Sequence, residues 1–219
     1  TNSLVAAGYV EQVAETRREA LHLAKPAGYR PPRRRSQSAA AQESRPMRDQ
    51  RLDKLADVLV RYSTKVKKGD VVCIAAEPTS FPLIEATYEA CLKVGAHPFW
   101  LPRSESLHEL LLSHGTDEQI AFLQPSDMHR VQTIDVQIGF WTEINTKYLS
   151  RIEPKRVAMH QSARKPWFKI FMDRAAKSTE PGGLRWVGTL YPTLAAAQDA
   201  EMSLRQYEDF VFSAGLLHM

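Results

Sequence analysis

The chain has 219 residues, of which 43% are hydrophobic and 25% charged, with a formal net charge of +4. These are values of an ordinary globular protein of one domain, or one domain with a tail. No run approaches the roughly 20 apolar residues needed to span a bilayer, and no secretory apolar segment leads the chain. A cytoplasmic protein without a membrane partner is expected.

The charge is unevenly spread. Residues 1–46 hold eight Lys/Arg and four Asp/Glu, which leaves 21 of each sign in 47–219. A nucleic-acid-binding domain shows its basic excess on the folded part, so no nucleic-acid partner is expected. Cys73 and Cys91 both sit in apolar runs, as two buried thiols of a reducing compartment would. Neither has the spacing of a zinc site.

Within residues 1–46, Val10, Val13, Ala14, Leu21 and Ala24 recur at near-helical spacing and suggest one short helix. The stretch 25–46, with Arg33, Arg34 and Arg35 in a row, buries too little apolar surface to offset its ordering entropy and reads as disordered. Three readings of 1–46 compete: a basic tail for an anionic partner, an organelle-targeting peptide, or a non-native extension translated upstream of a start at Met47. Its four glutamates disfavour a transit peptide, which is usually acid-poor. The third reading is preferred, because a regular pattern begins just after Met47. The expected division is therefore 1–46 as a disordered or non-native extension and 47–219 as an α/β domain.

In chain order, residues 52–67 read as a helix on Leu52, Leu55, Ala56, Leu59 and Val60. Lys68, Gly69 and Asp70 supply a turn. Residues 71–76 form an apolar run suited to a strand buried on both faces. A helix over 81–94 stops at Gly95, and a second strand covers 97–101. Ser104 caps a helix to about 112, and Thr116 with Gln119 forms a capping box for the next. A third strand is expected over 133–140. Residues 154–177 read as helical with a break near Pro166. Gly182 and Gly183 turn into a strand over 184–190, and Ser203 with Gln206 caps a helix to about 212. Strands alternating with helices predict an α/β fold, a mainly parallel sheet with helices on both faces.

Chemistry-bearing patterns are sparse. His97, His108, His114, His129 and His160 are scattered, with no H-x-x-x-H pair, and read as surface or partly buried side chains. The turn after the first strand, Glu77-Pro78-Thr79-Ser80, lacks the glycines of a phosphate loop. A ligand, if bound, would sit beyond the strand C-termini. Glu201, Glu208 and Asp209 read as solvated helix residues. There is no G-x-S-x-G elbow. The aromatic pairs Phe99-Trp100 and Phe140-Trp141 fall at strand ends, suited to core or interface packing, or to lining an opening toward a partner domain. From residues alone, no catalytic, cofactor-binding or metal-ligating side chain can be named.

Several segments together resemble the aminopeptidase T-like metallopeptidase family. They are residues 47–63 with the turn at 66–70, then 184–193, 197–204 and 207–214, the last opening Tyr207-Glu208-Asp209-Phe210. The resemblance covers essentially all of 47–219. It implies a metal-dependent exopeptidase that removes N-terminal amino acids from peptide substrates. It also implies two divalent metal ions (zinc, cobalt or similar) held by Glu, His and Asp side chains, and a homodimer. In the family those ligands lie in the C-terminal half, which has no counterpart before Met219. The resemblance therefore implies the N-terminal domain alone, binding no metal and inactive by itself, with an exposed apolar surface facing the missing half. A standalone α/β binding module without catalysis is the alternative.

Overall fold

The computed structural model describes residues 48–216. The readings of 1–46 as a helix, a disordered stretch and a separate extension lie outside the described residues. Four parallel strands form the centre: β1 (Val71–Ala76), β2 (His97–Pro102), β3 (Val136–Trp141) and β4 (Arg185–Leu190), in the order β2-β1-β3-β4. Val71 pairs with His97, Val72 with Val136, and Val136 with Arg185.

Both faces of this sheet are covered, as a parallel sheet requires. The side chains of β1 alternate between two cores. Val72, Ile74 and Ala76 pack with Leu55, Leu59, Leu83, Ala90 and Phe212 on one face. Cys73 and Ala75 pack with Val131, Ile134, Phe171 and Leu184 on the other. The mainly parallel α/β expectation therefore holds.

The first face is built from α1 (Gln50–Asp57), a π-helical continuation (Val58–Ser63), α2 (Phe81–Lys93) and α9 (Leu204–Leu216). Asp49 caps α1, its side chain accepting from the Arg51 N–H. The helix expected over 52–67 ends early, at Ser63. Thr64 terminates it: its N–H and its hydroxyl both donate to the Leu59 carbonyl, at 3.1 and 2.7 Å. Gly95 ends α2 as expected, with φ +81°, a left-handed conformation that glycine adopts without a Cβ penalty.

Between β2 and β3 lie α3 (Glu105–His114), α4 (Asp117–Ala121) and α5 (Pro125–Thr133). Ser104 caps α3 and the Thr116–Gln119 box caps α4, both as expected. The third strand differs from expectation, because residue 133 is the end of α5 and pairing starts at Val136. Pro125 pre-sets the first turn of α5 and Asp127 favours its dipole. Val131 is the one buried residue of that helix, so no apolar stripe announced it.

After β3, α6 (Pro154–Ala163) and α7 (Lys165–Ala175) are separated at Arg164, two residues before Pro166, near which the break was expected. A short α8 (Leu194–Asp199), not expected from the sequence, follows β4 and is capped by Thr193. The Ser203–Gln206 box is formed, with Ser203 N–H donating to Gln206 and Gln206 N–H to Ser203. At the N-terminal edge of the sheet, Arg185 clamps β4: it pairs with Asp70 at 2.9 Å and donates to the Lys65 carbonyl at 2.8 Å.

Candidate functional site

The strand order reverses at β1, whose neighbours β2 and β3 are reached in opposite directions. In open α/β sheets ligands bind outside the strand C-termini at such a point. A cavity of about 760 Å³ opens there. The ends of three strands contribute to its wall: Glu77 after β1, Arg103 after β2, and Trp141 with Thr142 at the end of β3. The far wall comes from α3, α5, α6 and α7.

Two histidines that the sequence reading left scattered meet in this wall. His108, on α3, places Nδ1 3.0 Å from the Tyr148 hydroxyl and Nε2 3.3 Å from Nδ1 of His160 on α6. Their rings lie 4.6 Å apart. His160 is only 9% exposed, so the surface or partly buried reading is corrected for it. Burial, reinforced by the neighbouring Arg164 guanidinium and by His108, pushes His160 down to about 4. Burial and Arg164 lower His108 as well. Both rings are therefore neutral near pH 7, each able to accept at one nitrogen and donate at the other. Burial raises the Tyr148 phenol, and carboxylates of Glu105, Glu77 and Glu143 add to that.

Packing holds these groups in place. Arg156, on α6, donates to the Leu112 carbonyl of α3 at 2.5 Å and to that of Gly115, tying the two helices together. The Glu105 carboxylate accepts from the N–H groups of Ile144 and Asn145, at 3.2 and 3.1 Å, and so fixes the loop after β3. Asp127 and Arg130, both of α5, pair at 2.8 Å. The Arg130 guanidinium also lies over the Trp167 ring, 5.8 Å from its centre. Trp167 stacks on Phe171 at 5.3 Å.

The strand-end aromatics divide between the expected roles. Phe140 is buried in the first core, while Trp141 is 49% exposed and lines the cavity. Trp141 also lies against Gly188 of β4, where a Cβ would come within 2.7 Å of its ring. Glu77 is buried, and burial pushes its carboxyl above the usual range. Cys73 and Cys91 are free and buried, and burial raises both thiols, Cys91 to about 12. Glu208 and Asp209 pair with Arg51, in keeping with the solvated-helix reading.

Among the described residues, no three His, Cys, Asp or Glu side chains are placed to share a metal ion. The closest approach to such a group, His108 with His160, has both nitrogens of His108 engaged already. Sequence spacing carried no signal for this cluster. Its members lie 40 and 52 residues apart and come together through the packing of α3 on α6.

The model of the thermophilic metalloprotease (M29) family matches residues 48–219. Among solved structures, the fold is similar to wild-type AmpT from Thermus thermophilus, with a TM-score of 0.63 at 14% identity. That match covers 76% of this chain and 43% of the AmpT chain, so this chain spans less than half of its relative's length. An alcohol dehydrogenase superfamily protein from Novosphingobium aromaticivorans matches at 11% identity, over 76% of this chain and 48% of its own, with a TM-score of 0.31 that carries no argument. No curated protein matches.

Proposed function

This chain belongs to the thermophilic metalloprotease (M29) family, and from that premise we propose that it is the N-terminal α/β portion of a metal-dependent aminopeptidase. The activity proposed for the whole enzyme is removal of N-terminal amino acids from peptides. The observation that carries the reading is the family match across 48–219. Membership implies a divalent metal, but the described residues do not fit one. They bring no three ligating side chains together. The reading therefore assigns the ligands of two divalent ions, zinc or cobalt, to a further segment. An AmpT chain of which this chain spans 43% leaves room for such a segment.

In this reading the chain alone is inactive, and its partners are peptide substrates and a second copy of itself. A cytoplasmic location belongs to the same proposal, supported by two buried free thiols. No helix among the described residues is long and apolar enough to cross a membrane.

Two measurements test the proposal. The purified 219-residue chain is incubated with leucine amide and with zinc or cobalt, and free leucine is measured. No release is expected, and metal-dependent release would overturn the assignment of the ligands elsewhere. The reading frame of the source transcript is then followed past Met219. Continuation into a segment bearing Glu and His ligands is expected. A stop codon there would instead favour a standalone binding module, a reading that the 760 Å³ cavity recommends independently.

A further inference from the structure

Three side chains lining the cavity carry buried polar atoms without a hydrogen-bond partner: Thr142 Oγ1, Arg164 Nη1 and Trp167 Nε1. Thr142 is 3% exposed. Buried polar atoms are paired in the great majority of cases, so three orphans around one cavity call for an explanation. Two of them are N–H groups with no lone pair to offer. Whatever completes them must bring hydrogen-bond acceptors.

The wall holds four carboxylates, of Glu77, Glu105, Asp127 and Glu143, and three guanidinium groups, of Arg103, Arg130 and Arg164, so what an anion would meet depends on how each is partnered. Asp127 is neutralised by Arg130 at 2.8 Å. Glu105 is spent on the two backbone N–H groups of the loop after β3. Glu77 is buried, and the Glu105 backbone N–H offsets part of the cost of that burial. Glu143 also lines the cavity, from the loop after β3. Arg164 has only the through-space attraction of Asp127, against a larger cost of burial. A half-buried guanidinium without a paired anion is costly, and an incoming oxyanion would offset that cost.

We propose that this cavity binds the oxyanion head, carboxylate or phosphate, of a small molecule, held by the Arg164 guanidinium and the Trp167 indole N–H. The two residues are three positions apart across the α6–α7 junction and so present to the same side of the chain. Both orphan nitrogens are buried as the side chains stand, so binding requires each side chain to shift toward the cavity. The histidine chain supplies a third donor. With the Tyr148 hydroxyl donating to His108 Nδ1 and the His108 Nε2–H to His160 Nδ1, the remaining N–H of His160 is on Nε2 and free to meet the anion. About 760 Å³ is the size of a small-molecule site and far larger than a water needs. The inference goes beyond the peptidase reading and does not depend on it.

The test uses the full chain with histidine labelled with nitrogen-15 in the ring. Inorganic phosphate is titrated in one arm and citrate in the other, with binding followed by calorimetry and by the ring signals. Saturable binding is expected in at least one arm, and the stronger arm identifies the head group. The signals of His108 and His160 should move, while His97, at the opposite end of β2, should not. Arg164→Gln should weaken binding by about tenfold or more, the loss of a charge-assisted contact. Trp167→Phe keeps the stack on Phe171 and should weaken it by several fold, which guards against a misfolded arginine variant. The arginine run at 33–35 also attracts anions, but binding there would not move the two ring signals. Absence of saturable binding in both arms would overturn the proposal. So would saturation that leaves the two histidines still, or affinities unchanged in both variants.

Discussion

Acid should weaken this fold well before its carboxylates titrate, and His160 should be the main cause. A histidine in an unfolded chain has a pKa near 6.5. Burial beside Arg164 and His108 holds folded His160 down to about 4. The folded value lies below the unfolded one, so between them the unfolded state binds more protons. Stability is then complete above about pH 6.5 and is lost as the pH falls toward 4, at about 1.36 kcal/mol per pH unit. From pH 6.5 to 4.5 this amounts to about 2–3 kcal/mol, a large share of a typical domain's total. His108 is lowered for the same reasons and adds to the slope. Asp49 and Glu89 are held below the ordinary carboxylate range, chiefly by hydrogen bonds to Arg51 and Lys93. Their contribution is lost at lower pH, below about 4. Glu77 works in the opposite sense, because burial raises it and acidification relieves a cost. Urea unfolding followed by circular dichroism at half-unit pH steps measures the effect. His160→Gln removes the titrating group and keeps an amide facing His108. The wild-type chain should lose about 2 kcal/mol more than this variant between pH 6.5 and 4.5. Equal slopes for the two would refute the reasoning, as would a ring titration placing His160 near 6.5.

Other consequences are checked by simpler means. Ile138 is fully buried in the middle of β3, so Ile138→Ala should cost about 2–5 kcal/mol in urea unfolding, with the fold retained. Cys73 and Cys91 are fully buried, and burial raises both thiols, so a thiol reagent at pH 8 should leave both silent until denaturant is added. Gly188→Ala would place a Cβ 2.7 Å from the Trp141 ring. That ring is half-exposed and can give way, so the stability loss should stay near about 1 kcal/mol. The Trp141 indole signal should nonetheless move, because the ring forms one wall of the cavity.

Local signals in the sequence located most of the fold, and the reason is visible residue by residue. The run Val71–Ala76 is apolar at every position because a central parallel strand is covered on both faces, and its limits are those seen. The Thr116–Gln119 and Ser203–Gln206 boxes are local chemistry: the cap and its partner lie three residues apart, and the contact forms whatever surrounds it. The elements that escaped notice share a different property. Helix α5 buries Val131 alone, and α8 buries Ala197 alone, so neither presents the stripe on which periodicity depends.

The cavity was hidden for a stronger reason. Its position at the C-terminal strand edge follows from topology and was expected, but its composition depends on which side chains distant helices bring together. His160 and His108 are 52 residues apart, and their contact is set by Arg156 fastening α6 to the carbonyls at the end of α3. In the sequence that arginine is one of many, with nothing in its spacing to single it out. Each histidine alone resembles any lone histidine, and neither has a second histidine or a carboxylate at i±4. The distinction that matters chemically, a desolvated neutral pair beside an uncompensated guanidinium, is a property of burial and not of spacing. The segments that carry the family resemblance, at 47–70 and 184–214, do not contain the histidine pair either. A site composed in this way is found by asking which buried polar groups lack partners.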